Sequence, residues 1–441
     1  MGQIASCQSP DVQPHPRVAL GLAPIGPIGR HMTMLLALAM GFAACQPASP
    51  SPTPSSAPSA QATAAAANPA YWVRVSPDSI AQPEGFMEVH RNSQGGMQTM
   101  CAPCHPAVDT TMTAVTHGPS GFVAVGWIFQ GFHGVAWHSP DGAAWSLDAA
   151  LPERTVLNAV AADDRRYVAV GLNGTGGIAW TSSDGLSWRQ DAAQSAFAAS
   201  PIRLTAVVHW AKGFAAAGYA GTEFGTAEAA FWWSVDGLTW ERVGDSTGFR
   251  NARVTGLTAG GPGLIAVGAT GSPDAPGPAV VWTSADGRTW ARLPDRPAFA
   301  GARMRTVTSA PGIGIIAAGE DLAGDTGAVW RSPDGLTWAR EPSSSALGRP
   351  GIQVRMYTAA PGGPGVVIGG TANEGVQYGE AVIWSSPDGV TWTRDAAGAE
   401  FADGELNALW SGTNQLVAVG DRGAPDTYIA TIWTGPPAWT P

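Results

Sequence analysis

The chain has few charged residues and almost no lysine. Asp, Glu, Lys and Arg make up 13% of its 441 residues, and Lys212 is the only lysine among 24 basic residues. Surface helices usually carry a charged face, so this composition predicts little helix. The formal net charge is −10 and no basic stripe is present, which excludes nucleic acid as an expected partner because phosphates are bound by clustered Lys and Arg.

The sequence also lacks an apolar run long enough to cross a bilayer. Its N-terminal apolar segment, residues 34–44, is 11 residues long, whereas a membrane-spanning helix needs about 20. That length is typical of the apolar region of a signal peptide. The segment runs into Phe42-Ala43-Ala44-Cys45, which resembles the bacterial lipobox with Phe42 in place of the usual leucine. The resemblance implies export and a lipid anchor at Cys45 as the only membrane attachment.

Residues 46–69 are rich in Pro, Ser, Ala and Thr and carry no charge. Such a segment cannot bury enough apolar surface to fold and is typical of a disordered spacer. We therefore expect a signal and lipobox region at 1–45, a tether at 46–69 and a folded domain at 70–441. The expected location is outside the cytoplasmic membrane or at the cell surface; simple secretion and a cytoplasmic chain are the alternatives.

A nine-residue motif, W-x-S-x-D-G-x-x-W, recurs at intervals of about 50 residues, which is the signature of a repeat architecture. Its six copies begin at Trp137, Trp180, Trp232, Trp282, Trp330 and Trp384. One period contains four short β-branched or alternating runs separated by Gly, Pro and Asp-Gly turn signals. A glycine that ends the second run occurs seven times, at positions 126, 171, 218, 268, 319, 370 and 420.

These periods predict an all-β fold, a seven-bladed β-propeller of four-stranded antiparallel blades. The seventh repeat lacks the Asp-Gly motif. The segment 71–75 has the pattern of a fourth strand, as in 239–243, so we expect an N-terminal strand to complete the seventh blade and close the ring. Trp439 is the rival for that place. The segment 76–111, which contains Cys101 and Cys104, is predicted to be an insertion before the first blade.

Asp-Gly between two apolar runs is a strong hairpin signal, so the motif is expected at the turn between the third and fourth strands, chiefly as a structural staple. The turn aspartates are Asp141, Asp184, Asp236, Asp286, Asp334 and Asp388. The motif resembles the Asp-box, or BNR, repeat of sialidase-like β-propellers, although that box has one more residue between Asp and Gly. The resemblance implies the fold, and it places the boxes away from any ligand site, in enzymes and non-enzymes alike.

Candidate site residues should therefore lie at the opposite face, where first strands begin and second strands end. Alignment of the first strands places Arg203, Arg253 and Arg303 at equivalent positions, with Arg305 and Arg355 two places further on in their blades. Clustered arginines are suited to binding a carboxylate or phosphate. The alternative is that they form salt bridges with acids such as Glu320 and Asp421, which follow the second-strand glycine.

The same loops contain weak catalytic candidates. Sialidase-like enzymes use three arginines for a substrate carboxylate, together with a tyrosine, a glutamate and an aspartate. Tyr219, Glu374, Tyr378 and Tyr428 lie in the right class of loop, and with Arg203, Arg253 and Arg303 they are the catalytic candidates. No Phe-Arg-Ile-Pro-like sequence precedes the motifs, and no metal-ligand or phosphate-binding pattern is present.

The segment Cys101-Ala102-Pro103-Cys104-His105 fits the C-x-x-C-H pattern of covalent c-type haem attachment. A local disulfide is the alternative in an oxidising compartment, and a free or metal-binding pair is a third.

Three functions therefore remain open. The first is a non-catalytic binding or scaffold module that needs no cofactor and takes a protein or glycan ligand at the channel mouth. The second is a sialidase-like glycoside hydrolase, which requires that the arginines share a pocket with a tyrosine and at least two acids. The third is an electron-transfer protein with covalent haem.

Overall fold

The computed structural model describes residues 72–82, 89–91, 97–99 and 109–436, apart from 130–131, 175, 191–194, 199–200, 245, 324–325, 349–350, 374–378, 395–399 and 425–426. These residues belong to the unit Gln61–Pro441. The described helices are short 3-10 turns: Pro77–Ser79, Ser195–Phe197, Thr247–Phe249, Pro297–Phe299 and Ser345–Leu347. None of the helices in the described part of the chain has the length and apolarity to cross a membrane.

Seven antiparallel sheets form the blades; each is built from one sequence repeat, and the seventh also takes an N-terminal strand. Blade 1 contains β4 (Thr110–Gly118), β5 (Gly121–Ile128), β6 (His133–Ser139) and β7 (Ser146–Ala150), blade 2 contains β8 (Thr155–Ala162), β9 (Tyr167–Asn173) and β10 (Gly176–Ser182), and blade 3 contains β11 (Ile202–Trp210), β12 (Gly213–Gly221), β13 (Ala227–Ser234) and β14 (Glu241–Arg242). Blade 4 contains β15 (Ala252–Gly260), β16 (Gly263–Gly271), β17 (Pro276–Ser284) and β18 (Ala291–Arg292), and blade 5 contains β19 (Ala302–Ala310), β20 (Gly314–Asp321), β21 (Gly327–Ser332) and β22 (Ala339–Arg340). Blade 6 contains β23 (Gln353–Gly362), β24 (Gly365–Asn373), β25 (Glu380–Ser386) and β26 (Thr393–Arg394), and blade 7 contains β27 (Gly404–Ser411), β28 (Leu416–Ala424), β29 (Thr427–Gly435) and the N-terminal β1 (Val73–Arg74).

The first strands of successive blades contact one another in order from β4 to β27, and β27 contacts β4. The seven blades therefore close into a ring whose inner wall is made of first strands. This confirms the predicted all-β, seven-bladed β-propeller. Blade 2 differs slightly from the prediction, because its fourth strand is reduced to a single bridge between Thr181 and Arg189.

The N-terminal strand closes the ring. Strand β1 pairs antiparallel with β29, with Val73 opposite Thr434 and Arg74 opposite Trp433, so the predicted origin of the last strand is confirmed. The rival, Trp439, lies outside the described residues. Within the predicted insertion, β2 (Val89–Arg91) and β3 (Met97–Thr99) form a hairpin.

The core lies between neighbouring blades rather than inside any one of them. The first tryptophan of most motifs is fully buried, and Trp433 keeps this position in the seventh blade. In blade 3, Trp232 packs with Phe197 from the preceding 3-10 turn and with Val168 of blade 2. The Trp232 Nε1 also donates to the Ala196 carbonyl at 2.9 Å, and the same bond recurs in blades 4 to 7. Each tryptophan thus fixes one blade to the chain segment that enters it.

The Asp-Gly motif lies at the turn between third and fourth strands, as predicted. In blade 5, the Ser332 hydroxyl accepts from the Gly335 N–H at 2.8 Å, and Asp334 accepts from the N–H groups of Leu336 and Thr337 at 2.8 and 2.7 Å. These backbone N–H groups hold the pKa of Asp334 below its usual value. The turn also contacts the neighbouring blade: the Ser120 hydroxyl at the β4–β5 turn donates to the Asp184 carbonyl at 2.6 Å. The motifs and the first-to-second strand turns therefore share one face of the ring.

Candidate functional site

The candidate site lies at the other face, where first strands begin and second strands end; we call this face the mouth. All seven first strands carry a β-bulge at the same place, because the strand register shifts by one residue there. The bulged residues are Thr113, Asn158, Thr205, Thr255, Arg305, Tyr357 and Asn407. A bulge changes the direction in which a side chain points, and this shared bulge identifies one structurally equivalent residue in each of the seven blades.

Five of the bulged residues connect one blade to the next. Each is Thr or Asn, and its side chain donates to a backbone carbonyl in the first strand of the following blade. The bonds are Thr113 to Leu157 at 2.8 Å, Asn158 to Leu204 at 2.7 Å, Thr205 to Val254 at 2.8 Å, Thr255 to Met304 at 2.9 Å and Asn407 to Met112 at 3.0 Å. This hydrogen-bonded ring accounts for the residue type at those five positions as a structural requirement.

Arg305 and Tyr357, in blades 5 and 6, break this pattern. The Arg305 Nε donates to Glu320 Oε1 at 2.9 Å, and its guanidinium lies 5.2 Å from the centre of the Tyr357 ring. Arg303 also pairs with Glu320, and the Arg355 Nη1 of the next blade lies 3.6 Å from Glu320 Oε2. Three guanidiniums therefore surround one carboxylate, and we call Arg303, Arg305, Arg355 and Glu320 the arginine cluster.

The arginine cluster holds more positive charge than its own carboxylate neutralises. The side chain of Glu320 is 7% exposed, and those of the three arginines are 15 to 18% exposed. Burial, with repulsion from Arg305 and Arg355, lowers the pKa of Arg303 to about 9. Burial, together with repulsion from Arg355, lowers the pKa of Arg305 to about 10. Arg303 and Arg305 stay protonated at neutral pH, so the repulsion among the three guanidiniums favours an additional anion.

Tyr357 extends the polar region towards blade 7. Its buried hydroxyl oxygen lies within reach of the Glu405 carboxylate, although the geometry falls short of a good hydrogen bond. Burial and the nearby negative charge of Glu405 raise the pKa of Tyr357, so the phenol stays neutral. A neutral buried hydroxyl beside guanidiniums is a ready donor for a ligand oxygen.

A buried carboxyl pair lies on the far side of Tyr357. Glu405 and Asp421 face each other across β27 and β28, and the Thr111 hydroxyl of blade 1 donates to Asp421 Oδ2 at 2.5 Å. Burial, and next the charge of Glu405, raise the pKa of Asp421 to about 8. Asp421 is therefore protonated at neutral pH, which removes one negative charge from the mouth.

Asp421 makes stability depend on pH with a definite sign. The folded state binds a proton that an unfolded Asp releases near pH 4, so the free energy of unfolding should fall as pH rises from about 4 to about 8. In Asp421→Asn this part of the slope should vanish, and the variant should exceed the wild type in stability above pH 8. Urea unfolding at pH 5, 7 and 8.5 measures the difference; parallel curves for the two proteins would contradict it.

The arginines of blades 3 and 4 form a separate group. The Arg203 Nη1 lies 2.9 Å from Glu223 Oε1, and the Arg253 guanidinium lies 5.1 Å from the centre of the Tyr219 ring. Arg253 also donates to backbone carbonyls of the loop after β12, among them Gly225 at 2.5 Å. These two arginines thus order their own loop, and their side chains are engaged within blades 3 and 4.

The registers correct the sequence alignment in one respect. Arg203, Arg253, Arg303 and Arg355 face the residue that follows the second-strand glycine, so Arg355 is the equivalent of Arg303, whereas Arg305 occupies the bulge. Successive equivalent arginines are 50 residues apart from Arg203 to Arg303 but 52 residues apart from Arg303 to Arg355, so spacing alone grouped Arg355 with Arg305. Of the predicted salt-bridge acids, Glu320 does pair with arginines, while Asp421 accepts from Thr111 and Asn407.

The remaining predicted candidates are not tested by the described geometry. Glu374, Tyr378, Cys45, Cys101, Cys104 and His105 lie outside the described residues. Within the described part of the chain, no group of three His, Cys, Asp or Glu side chains is arranged to hold a metal ion. Four residues of this polar region are not predicted as site residues from the sequence: Tyr357, Glu405, Thr111 and Asn407.

No protein-family model and no curated protein matches the chain. Solved propellers do resemble it in fold. YCF48 bound to D1 peptide is 14% identical with a TM-score of 0.49, covering 86% of this chain and 97% of that one. Virginiamycin B lyase from Staphylococcus aureus is 8% identical with a TM-score of 0.46, covering 74% and 94%. The β-propeller domain of Myceliophteria_thermophila Cps50 is 13% identical with a TM-score of 0.45, covering 73% and 96%. At these values the similarities bear on neither ligand nor activity.

Proposed function

We propose that the protein is a non-catalytic binding module that takes a carboxylate-bearing ligand at the mouth. The observation that carries this proposal is the arginine cluster, in which three partly exposed guanidiniums share the single buried carboxylate of Glu320. Planar guanidiniums bind carboxylates in bidentate fashion, and burial strengthens such bonds. The excess positive charge is local, since the whole chain carries a net charge of −10.

The comparison of the seven blades supports the same site. In five blades the bulged residue is Thr or Asn, and its side chain forms a hydrogen bond to the next blade. In blades 5 and 6 the bulged residues are Arg305 and Tyr357. Blade 6 still bonds blade 7 through the neighbouring Thr358, whose hydroxyl accepts from the Leu409 N–H at 3.0 Å, so the change gives up at least one inter-blade bond, roughly 1 kcal/mol. A ligand site accounts for that loss, because functional sites are where structural regularity is broken.

Binding of a labelled hexaglutamate peptide, followed by fluorescence anisotropy at low salt, tests the proposal. Arg355→Met should weaken binding at least about tenfold, which corresponds to roughly 1.4 kcal/mol. Arg288→Met is the matched control, because Arg288 lies in a motif turn on the opposite face and stacks 3.7 Å from the centre of the Trp233 ring. Equal losses in both variants, or no binding to the wild type, would reject the proposed site.

A glycoside hydrolase of sialidase type is the second candidate. The observation in its favour is that three arginines share their site with Tyr357 and with two acids, Glu320 and Glu405. The proposal predicts release of the fluorophore from a fluorogenic sialoside, with loss of release in Tyr357→Phe and in Arg303→Ala. Absence of release above the Arg303→Ala background would eliminate the hydrolase and leave the binding module.

We further propose that the domain acts outside the cell, tethered through residues 46–69 to a lipid on Cys45, and that its six motif turns are a divergent form of the Asp-box. The lipobox-like segment and the uncharged spacer support the tether. Metabolic labelling with a palmitate analogue tests it: label should appear on the wild type and be absent from Cys45→Ser.

A further inference from the structure

An aromatic surface lies at the mouth on blades 1 and 7, beside the polar region. Four residues form it, and the name aromatic surface refers to these four: Trp127, Phe129, Phe132 and Tyr428. The Trp127 ring centre lies 4.2 Å from that of Phe129 and 5.6 Å from that of Phe132, and Phe129 and Tyr428 stack at 5.8 Å. Phe132 is 40% exposed. Exposed apolar clusters of this kind mark interaction sites.

Phe132 is also held in an unfavourable backbone conformation. Its φ is +54°, in the left-handed region that bulky residues rarely adopt. A glycine there would relieve the strain, yet the sequence places a large apolar side chain at this position. Strain of this kind is retained where the side chain has a role, and in this case it directs the ring against Trp127.

A row of contacting residues, in part buried, links the aromatic surface to the polar region. Trp127 faces Thr111 across the strands, Thr111 bonds Asp421, and Asp421 faces Glu405, which lies beside Tyr357. These are four steps of roughly 5 Å or less, so the aromatic surface lies within roughly 20 Å of Tyr357, whose ring contacts Arg305. An extended peptide covers that distance with about five residues.

We propose that the ligand is a peptide segment that places an apolar side chain on the aromatic surface and a carboxylate, about five residues away, in the arginine cluster. This deepens the proposed function and rests on it. Trp, Tyr and Arg are the residues enriched at the centres of peptide and protein interfaces. A sugar ring fits less well, because it stacks on a free aromatic face, whereas these rings already stack on one another and offer mainly their apolar edges.

Selection of a random dodecapeptide library against the full chain tests this inference. Selected peptides should combine Asp or Glu with Trp, Phe, Leu or Ile at a spacing of about five residues. For a selected peptide, Phe132→Ser should weaken binding about tenfold. Phe224→Ser, which alters an equally exposed phenylalanine in blade 3, should leave it unchanged.

The outcomes separate the two proposals. Acidic peptides without apolar enrichment, or equal affinity of wild type and Phe132→Ser, would overturn the peptide inference and leave the carboxylate site intact. Apolar peptides that bind Arg355→Met as tightly as wild type would overturn both. Failure to select peptides, with binding of labelled polygalacturonate instead, would replace the peptide by an acidic glycan and overturn the inference.

Discussion

Glu320→Gln is expected to lower the free energy of unfolding by about 3 to 5 kcal/mol. The glutamine keeps the shape of the side chain but removes the carboxylate that pairs with Arg303, Arg305 and Arg355. The repulsion among these three partly exposed cations would then lose its main compensation, with the charge of Glu405 left to act on Arg305. Urea unfolding followed by tryptophan fluorescence measures the loss, and added acetate should restore part of it if the cluster binds carboxylates.

The control for this substitution is Glu341→Gln, which removes the partner of Arg331 at 3.5 Å. The Arg331 side chain is 44% exposed, so the pair is screened by water and its loss should cost less than about 1 kcal/mol. If Glu320→Gln does not fold, the double variant Arg303→Met with Glu320→Gln should recover folding, because it removes one of the uncompensated charges. Equal stabilities of Glu320→Gln and Glu341→Gln would contradict the account of the arginine cluster.

Gly171→Ala should destabilise the propeller by at least about 4 kcal/mol or prevent folding. A Cβ atom at residue 171 would lie 1.8 Å from the carbonyl oxygen of Val156, and backbone on both sides leaves it no room. Strands β8 and β9 would have to separate beside the bulge of Asn158. The same close approach, 1.8 to 2.0 Å, recurs at all seven second-strand glycines.

Gly244→Ala is the matched control, because a Cβ there meets nothing within 4 Å. Its stability should stay within about 0.5 kcal/mol of the wild type. Thermal melts of the two variants in parallel give the comparison. If Gly171→Ala had the same melting temperature as Gly244→Ala, the first and second strands would have to lie further apart than the Cβ distance at residue 171 implies.

The blade count and the closing strand could be predicted from sequence because both depend on local, repeated signals. The seven glycines mark a backbone approach that excludes every other residue, so they survive in the seventh repeat, where the Asp-Gly turn is lost. The closing strand, Val73–Arg74, could be recognised because the segment 71–75 repeats the sequence pattern of an outer strand. Both signals reflect constraints that act within one blade.

The site was only partly predictable, since it is built from residues of different blades. Arg303, Arg305 and Arg355 could be recognised as a group of charges, whereas no sequence motif marks Tyr357 or Glu405. A signal did exist: the bulge reads Thr or Asn followed by Ala or Gly in five repeats, but Arg-Thr and Tyr-Thr in the other two. Its meaning depends on the bulge, which aligns these positions and is visible only in the strand registers.

The most direct measurement of the central claim is a crystal structure of the protein soaked with 4-bromobenzoate, with the bromine located by its anomalous signal. The compound carries one carboxylate and one aromatic ring, the two groups that the mouth is proposed to bind. The account predicts carboxylate density between Arg305, Arg355 and the Tyr357 hydroxyl, with a bromine peak beside it that is absent in Arg355→Met. Bromine peaks confined to the face of the Asp-Gly turns, or none at the mouth, would contradict it.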